Sequence, residues 1–424
     1  MKRFFCSLIL LLLSSLLLQN LNAQSISKTD WIQTLDSVAI LLPQKHKNLY
    51  FNKDSVYFRK GIERIKAGLN EESDRDVSTI LKLQQLIASM GDSHTSIQML
   101  KYLDQTNVFP LGLYDFKDGV FVMTTTKSNE VLTGKELVAI NDISVDEVKN
   151  RMATLIGEQN SGMRKMILPQ FIIFKQLTDF LGITDSSAVL VSYREKEGTI
   201  KEHLMVLEPF KKDNRSQVTY LNVLPALRYQ KNLFADYFYP DSSMYVLQYN
   251  RCWNRELEEK YGNKELAKKY PSFEEWSRKI YGTLDSTKVN KIVFDLRFNG
   301  GGNSQPGSML INGFSEYVLK NPDLTFYVVL GRNTFSSGIL NALEFKQYKN
   351  VVFVGESTAG SPNHYGEVRN MQVQPIGLGI DYSTAYFKRT DDTSNTLNPD
   401  VLIESTFDEW VNGKDPILEW IYAQ

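Results

Sequence analysis

The sequence predicts an α/β fold whose second half contains a parallel β-sheet. Three continuous apolar runs, at 291–296, 325–330 and 351–356, are separated by segments with helical periodicity. Apolar strands that alternate with helices are typical of parallel pairing with right-handed crossovers. Reactive groups in such a sheet gather beyond the carboxyl ends of the strands. We therefore expect a functional site where these three runs end.

The first 23 residues have the pattern of a secretory signal peptide. Lys2 and Arg3 precede an apolar run from Phe4 to Leu18, and small residues around Ala23 follow it. The run is short for a membrane span, although an uncleaved anchor is the alternative. We expect an exported protein, periplasmic or secreted, with no stable membrane insertion after cleavage.

Composition limits the classes of partner and of stabilising bond. The formal net charge is −1 and 42% of the residues are hydrophobic, so nothing points to a nucleic-acid partner. Removal of residues 1–23 leaves Cys252 as the only cysteine, which excludes an internal disulfide bond. The chain is long enough for two or three domains.

The region from Thr29 to Met90 is predicted to be helical. Its clearest repeat has apolar residues three and four positions apart, namely Ile80, Leu83, Ile87 and Met90. Gly91 is placed to end that helix, so residues 92–95 are expected in a turn.

The middle of the chain has a different pattern. Short apolar runs between Asn107 and Val148 predict the strands of a small β-rich module, followed by a helix from Val145. The charged segment from Glu256 to Lys279 is interpreted as a solvated helical insertion without a chemical role.

The first strand end carries three consecutive glycines, Gly300 to Gly302. Glycines in this position suit a backbone that approaches a ligand closely, and a plain tight turn is the alternative. The loop lacks the lysine of a phosphate-binding P-loop and the spacing of a dinucleotide fingerprint. We therefore predict neither a cofactor nor a metal.

The second strand end carries Ser336 and Ser337 at a strand-to-helix turn. A serine there can be a nucleophile close to unsatisfied N–H groups, or simply a helix N-cap. The third end, predicted to be a loop, carries Ser361, His364 and Glu367.

A hydroxyl nucleophile needs a base, commonly histidine. The sequence has four histidines. His46 lies in a lysine-flanked helical stretch and His203 in a polar stretch, so both are expected on the surface. This leaves His94, in the turn after the packed helix, and His364, at the third strand end.

Five motifs in order resemble one enzyme family. They are similar to the tail-specific, or C-terminal-processing, serine peptidases of family S41, in the branch of the tricorn core and the interphotoreceptor retinoid-binding protein. The motifs are GDSHTSI, DLRFNGGGNS, NTFSSGI, VVFVGESTAGSPN and NPDVLIE.

This resemblance implies a crotonase-like (ClpP/crotonase) catalytic domain in a peptidase of the bacterial envelope. The stretch GKELVAINDISVDEV also resembles part of a PDZ domain, with Asp142 in place of a glycine. The expected domain limits are 1–23 for the signal peptide, 24–105 for the helical region, 106–200 for the PDZ-like module and 201–424 for the catalytic domain.

The resemblance also implies roles for individual residues. Ser336 corresponds to the nucleophile, and the backbone N–H groups of Ser337 and Gly301 to the oxyanion donors. Ser361 stands where the lysine-dependent branch has its base, so His94, preceded by the supporting Ser93, is the expected base.

Two questions stay open at this stage. The residue that orients His94 is not identified, and the candidates are Glu367, Asp381 and Ser383. The main hypothesis is a peptidase acting on peptides or unfolded protein tails. The alternatives are a non-catalytic ligand- or peptide-binding protein and a hydrolase of esters or glycans.

Overall fold

The computed structural model describes residues 26–69, 72–73, 77–157 and 160–424. The predicted signal peptide, residues 1–23, lies outside these ranges. Within them, no helix combines the length and the apolar character needed to cross a membrane. The described residues form a mixed α/β fold with four β-sheets.

The N-terminal part is helical, as predicted. Its elements are β1 (Ile26–Ser27), α1 (Lys28–Lys45), α2 (Ser55–Ala67), β2 (Glu72–Ser73), α3 (Val77–Ser89) and β3 (Ser96–Ile97). Gly91 has a φ of +97° and lies two residues after the end of α3, which confirms its predicted role in ending the helix. Residues 92–95 therefore form the expected turn.

The middle part is a β-rich module, also as predicted. Its elements are β4 (Gly112–Phe116), β5 (Gly119–Thr126), β6 (Glu136–Ile140), β7 (Ile143–Ser144), α4 (Val145–Ala153), α5 (Ser161–Phe171), α6 (Lys175–Phe180), β8 (Ala188–Arg194), β9 (Ile200–Val206) and β10 (Arg215–Gln217). The strands form one seven-stranded sheet. Its assignment as a PDZ-like module stays a prediction.

The C-terminal part begins with α7 (Pro225–Arg228), β11 (Phe234–Tyr239), β12 (Met244–Tyr249), α8 (Arg255–Tyr261), α9 (Lys264–Ala267) and α10 (Phe273–Ser286). The charged segment is helical, as expected, although Phe273 and Trp276 of α10 are buried in the core.

The chain then alternates between strands and helices: β13 (Lys291–Asp295), α11 (Gln305–Gly313), α12 (Ser315–Lys320), β14 (Thr325–Leu330), α13 (Ser337–Glu344) and β15 (Val351–Gly355). The last elements are β16 (His364–Val373), β17 (Leu378–Phe387), β18 (Val401–Leu402), α14 (Phe407–Val411) and α15 (Pro416–Ala423).

The main sheet has the order β11-β12-β13-β14-β15-β18. β12 to β15 and β18 pair in parallel, and only the β11–β12 pair is antiparallel. This confirms the predicted parallel pairing of the three apolar runs. Their carboxyl ends therefore lie side by side at one edge, as a functional site there requires.

A long hairpin of the C-terminal part packs against the N-terminal helical part. β16 and β17 pair antiparallel, and β17 also pairs with β3, just after the His94 turn. Apolar residues of this hairpin, including Ile380, share one buried core with the N-terminal helices. The hairpin thus brings the His94 turn to the C-terminal half of the chain. The predicted domain limits stay a prediction.

Candidate active site

Ser336 occupies the turn between β14 and α13 in a strained backbone conformation. Its φ is +51°, which non-glycine residues rarely adopt and which costs on the order of 1–3 kcal/mol. Ser336 is the N-cap residue of α13, yet its side chain makes no capping hydrogen bond. The hydroxyl is therefore not used as a helix cap, and the residue is half-buried.

Ser337 has a different environment. Its side chain is buried and donates a hydrogen bond to the Gly302 carbonyl at 2.7 Å. Its backbone N–H is the first of α13, where a helix offers no internal acceptor. The two serines are thus distinguished by their contacts: one has a free hydroxyl, and the other has a hydroxyl tied to the glycine loop.

Hydrogen bonds hold the three strand ends together. Thr334 Oγ1 donates to the Leu296 carbonyl at 2.9 Å, beside β13. Phe335 N–H donates to the Asn299 carbonyl at 3.0 Å, and Gly360 N–H donates to the Thr334 carbonyl at 3.2 Å. The loop before Ser336 is therefore fixed from both neighbouring strand ends.

Gly301 lies directly against the serine loop. Its φ is +96°, and a Cβ atom there would lie 2.8 Å from the Ser336 Cβ and 3.1 Å from the Ser337 nitrogen. The glycine is thus required by a close backbone approach. Its N–H donates to Asn299 Oδ1 at 2.9 Å, so this predicted oxyanion donor has an acceptor in the present structure.

His94 lies at the same loop. Its ring stacks on Phe335, the residue before Ser336, with a centroid distance of 4.5 Å and an interplanar angle of 25°. Its other neighbour is His364, at 5.5 Å and 17°. Both ring nitrogens of His94 are buried and have no hydrogen-bond partner in the described part of the chain. Such an imidazole is available to accept a proton.

Asp92 is the carboxylate next to His94. Its Oδ1 lies 4.0 Å from His94 Nδ1 and accepts the His94 backbone N–H at 2.9 Å. Its Oδ2 accepts three further hydrogen bonds: from His46 Nε2 at 2.9 Å, from Ser383 Oγ at 2.6 Å and from Thr95 Oγ1 at 2.5 Å. The carboxylate is thus buried, and it accepts four hydrogen bonds from protein donors.

These contacts shift both pKa values. Burial opposes ionisation of Asp92, but the hydrogen bond from His46, the charge interaction with His94 and the hydroxyl donors outweigh it and lower its pKa to about 2. Burial lowers the pKa of His94 to about 4, although Asp92 favours the charged form. At neutral pH the site thus holds a carboxylate and a neutral imidazole.

His46 is buried, which makes its predicted surface position wrong. It follows α1, and only 4% of it is exposed. Its Nδ1 accepts the Asn48 N–H at 3.0 Å, so the proton is on Nε2, which donates to Asp92. The flanking lysines misled the prediction. His203, on β9, is half-buried and contacts Asn129 at 2.8 Å.

Among the three open candidates for orienting His94, only Ser383 reaches its network, through Asp92. Asp381 accepts a hydrogen bond from Gln98 at 2.7 Å, and Glu367 is exposed. Sequence reasoning missed Asp92. Its signal was available, because an aspartate two residues before a histidine in a turn can accept the histidine N–H.

The third strand end was predicted to be a loop, but its second half is the start of β16. Antiparallel pairing of His364 with Phe387 places these residues in a strand. Ser361 Oγ donates to the Asn363 carbonyl at 2.8 Å, and its own carbonyl contacts His364 Nδ1 at 2.9 Å. Ser93 is half-buried in the His94 turn.

Comparison with solved structures identifies the fold. Mature CPAF complexed with lactacystin matches with a TM-score of 0.62 and 12% identity, over 93% of this chain and 98% of that chain. A second structure of mature CPAF gives 0.60 and 12%, over 93% and 96%. The chain has the fold of CPAF.

The resemblance to the S41 peptidases predicted from the motifs is thereby confirmed at the level of the fold. A putative S41 protease from Bacteroides fragilis is also matched, with a TM-score of 0.35 and 13% identity, over 76% of this chain and 83% of that chain. No protein-family model and no curated protein sequence matches the chain.

The described residues contain no group of three or more histidine, cysteine, aspartate or glutamate side chains that could hold a metal ion. The side chains described above for this site include the Ser336 hydroxyl, the imidazoles of His94 and His364, and the Asp92 carboxylate. This set suits acyl transfer, in which a serine attacks a carbonyl and a histidine carries the proton.

Proposed function

We propose that the chain is an exported serine peptidase that cleaves peptides or unfolded protein tails. The observation that carries the proposal is the position of His94, whose ring stacks on Phe335, the residue before the strained and uncapped Ser336, and whose ring nitrogens accept no hydrogen bond from the described residues. Nucleophile turns of hydrolases show such strain, because a sharp turn exposes the hydroxyl. The fold shared with CPAF supports the same reading.

In this mechanism Ser336 Oγ attacks the scissile carbonyl carbon while His94 takes its proton. The resulting imidazolium is stabilised by the Asp92 carboxylate, whose Oδ1 is 4.0 Å from Nδ1. His94 then gives the proton to the leaving amine, and an acyl-enzyme on Ser336 remains. Water then attacks the ester carbonyl as His94 takes one of its protons, and His94 returns that proton to Ser336 Oγ as the bond between Oγ and the acyl carbon breaks.

The oxyanion formed in each step is stabilised by backbone N–H groups. Ser337, at the first position of α13, supplies the donor with no competing acceptor in the helix. Gly301 adjoins it and acts as the second donor by sharing its N–H between the oxyanion and Asn299. Neither contribution requires a metal or a cofactor.

The test is hydrolysis of a fluorescently labelled unfolded protein, such as casein. Ser336→Ala and His94→Ala are expected to abolish cleavage, while Ser337→Ala retains it because its backbone N–H is unchanged. The Ser337 variant is also the matched control, since it removes the adjacent hydroxyl. An inactive but folded wild type would favour the binding-protein alternative and contradict the proposal.

A further inference from the structure

His364 is a second buried imidazole at the site, and the proposed mechanism does not use it. Its ring lies nearly parallel to the His94 ring, at 5.5 Å and 17°. With Phe335 on the opposite side, it completes a stack of three rings around the proposed base. An aromatic stack of this kind restrains the plane of the central ring.

The tautomer of His364 follows from its hydrogen bond. The Ser361 carbonyl can only accept, so His364 Nδ1, at 2.9 Å, carries the proton. Its Nε2 then bears a lone pair, and that atom is buried without a partner among the described residues. Pairing with Phe387 at the start of β16 and ring contact with Phe387 at 5.5 Å hold the residue in place.

Three titratable or charged groups face His364, two from the turn after α3 and one from the segment after β17. Asp92, in the turn after α3, favours its charged form, whereas Arg389, just after β17, opposes it. Burial is the largest effect and lowers the pKa of His364 below its ordinary value. His94, whose ring faces that of His364, also opposes its charged form. Two adjacent buried imidazoles do not both carry a positive charge without a large free-energy cost.

We infer that His364 is a positioning residue for His94: it restrains the ring of the base and leaves the single positive charge of the pair to His94. A neutral neighbour permits the imidazolium that His94 forms when it takes the Ser336 proton. A protonated His364 opposes it. The two rings therefore titrate as one unit. This inference rests on the proposed function.

The test compares His364→Phe with His364→Ala, with His203→Phe as the matched control. Phenylalanine keeps the ring stack but cannot titrate, whereas alanine removes both. The readout is the rate of labelling by a fluorophosphonate as a function of pH. In the wild type, we expect the logarithm of the rate to fall with a slope of 1 at acid pH, since one proton on either ring stops the reaction and opposes the binding of a second.

For His364→Phe we expect labelling within about tenfold of the wild type at pH 8 and the same acid slope, with the acid limb moved to higher pH because the charge of His364 no longer opposes protonation of His94. For His364→Ala we expect a loss of roughly tenfold to a hundredfold at pH 8. ¹⁵N-histidine NMR supplies an independent readout, because the mature chain has four histidines. His364 should show a protonated Nδ1, and the pKa of His94 should rise in His364→Phe.

Two results would overturn the inference. One is a His364→Phe profile identical to that of the wild type, and the other is a folded His364→Phe that is not labelled at all, which would make His364 the base itself. Failure of the proposed function is seen separately, as an unlabelled wild type or as persistent labelling of Ser336→Ala.

Discussion

The residue with the most donors at the site is Asp92, which accepts four hydrogen bonds in a buried position. Three of the donors are side chains from separate segments: the end of α1, the turn itself and β17. Their convergence keeps the carboxylate charged beside His94. We therefore propose that Asp92 is the carboxylate that stabilises the charged form of His94, the role for which Glu367 and Asp381 were candidates.

Asp92→Asn is expected to slow fluorophosphonate labelling by at least about a hundredfold, because a neutral amide does not stabilise the imidazolium. The variant also presents an amide to the donors of His46, Thr95 and Ser383, so we expect a loss of about 1–3 kcal/mol in the free energy of unfolding. Labelling kinetics and urea unfolding measure the two effects.

Asp381→Asn and Glu367→Gln are the matched controls. Asp381 contacts Gln98 and Glu367 is exposed, so both variants should label within about threefold of the wild type. A hundredfold loss in either control, with a normal rate in Asp92→Asn, would reverse the assignment.

Stability should fall as the pH is lowered. The pKa of His94 is about 4 in the fold and 6.5 ordinarily, so between these values the unfolded chain binds a proton that the folded chain does not. Asp92, with a pKa of about 2 against 3.8, adds a loss below about pH 4. For both groups the pKa is lower in the folded chain than in the unfolded chain, so both reduce the free energy of unfolding as the pH falls.

Urea unfolding at pH 7 and pH 4.5 tests this dependence. His94 alone accounts for a decrease of up to roughly 3 kcal/mol in the free energy of unfolding. His94→Gln should therefore lose less stability between the two pH values than the wild type loses. Equal losses in the two proteins would show that His94 does not titrate below its ordinary pKa.

Local pattern predicted the position of His94 but not its surroundings. The helix before it and Gly91 place the turn from sequence alone. The contacts of Asp92 with His46 and Ser383 join residues that are distant in the chain, and no local periodicity encodes them. His46 shows the limit most clearly, because its lysine neighbours point to the surface while its own ring is buried.

At the scale of elements, the glycine loop after β13 and the turn before α13 fit together through backbone contact. Gly301→Ala is expected to displace Ser336, since the new Cβ would lie 2.8 Å from its Cβ at a φ of +96°. We expect labelling to fall by about a hundredfold or more, with a folded circular dichroism spectrum.

Gly300→Ala is the control for this loop. A Cβ at Gly300 meets nothing within 4 Å, and no positive φ is found there. Its labelling rate should stay within about threefold of the wild type. If both variants behave alike, the close approach at Gly301 has no functional consequence.

The strands were easier to predict than the hairpin. β13, β14 and β15 are continuous apolar runs, because a parallel strand buried on both faces needs no polar alternation. β16 carries exposed polar residues such as Glu367 and Asn370, so its sequence has the appearance of a loop. Only pairing with β17, a long-range contact, makes it a strand.

At the scale of the whole molecule, the β-rich module is joined to the loop that carries Ser336. Arg332, four residues before Ser336, is buried and donates to the Asp115 carbonyl of β4. It also pairs with Glu356 at 2.8 Å and lies over the Tyr114 ring at 4.4 Å. The module also contacts α14, where the ring of Phe121 stacks on the ring of Phe407 with a centroid distance of 4.3 Å.

Arg332→Met is expected to lower the free energy of unfolding by about 1–3 kcal/mol, because the half-buried Glu356 carboxylate is left without its partner. Arg332→Met combined with Glu356→Met should recover part of this loss.

Lys388→Met is the control, because it removes the exposed ion pair with Asp391 at 2.7 Å. It should change the free energy of unfolding by less than about 1 kcal/mol. Urea unfolding compares the three. Wild-type stability of Arg332→Met would show that the module is not anchored through this residue.

The proposed mechanism depends on Ser336 as the nucleophile. Tandem mass spectrometry of the protein after reaction with a fluorophosphonate locates the modified residue directly. We expect a single adduct on Ser336 and no adduct in His94→Ala. An adduct on Ser337, or no adduct on the folded wild type, would contradict the assignment of Ser336 as the nucleophile.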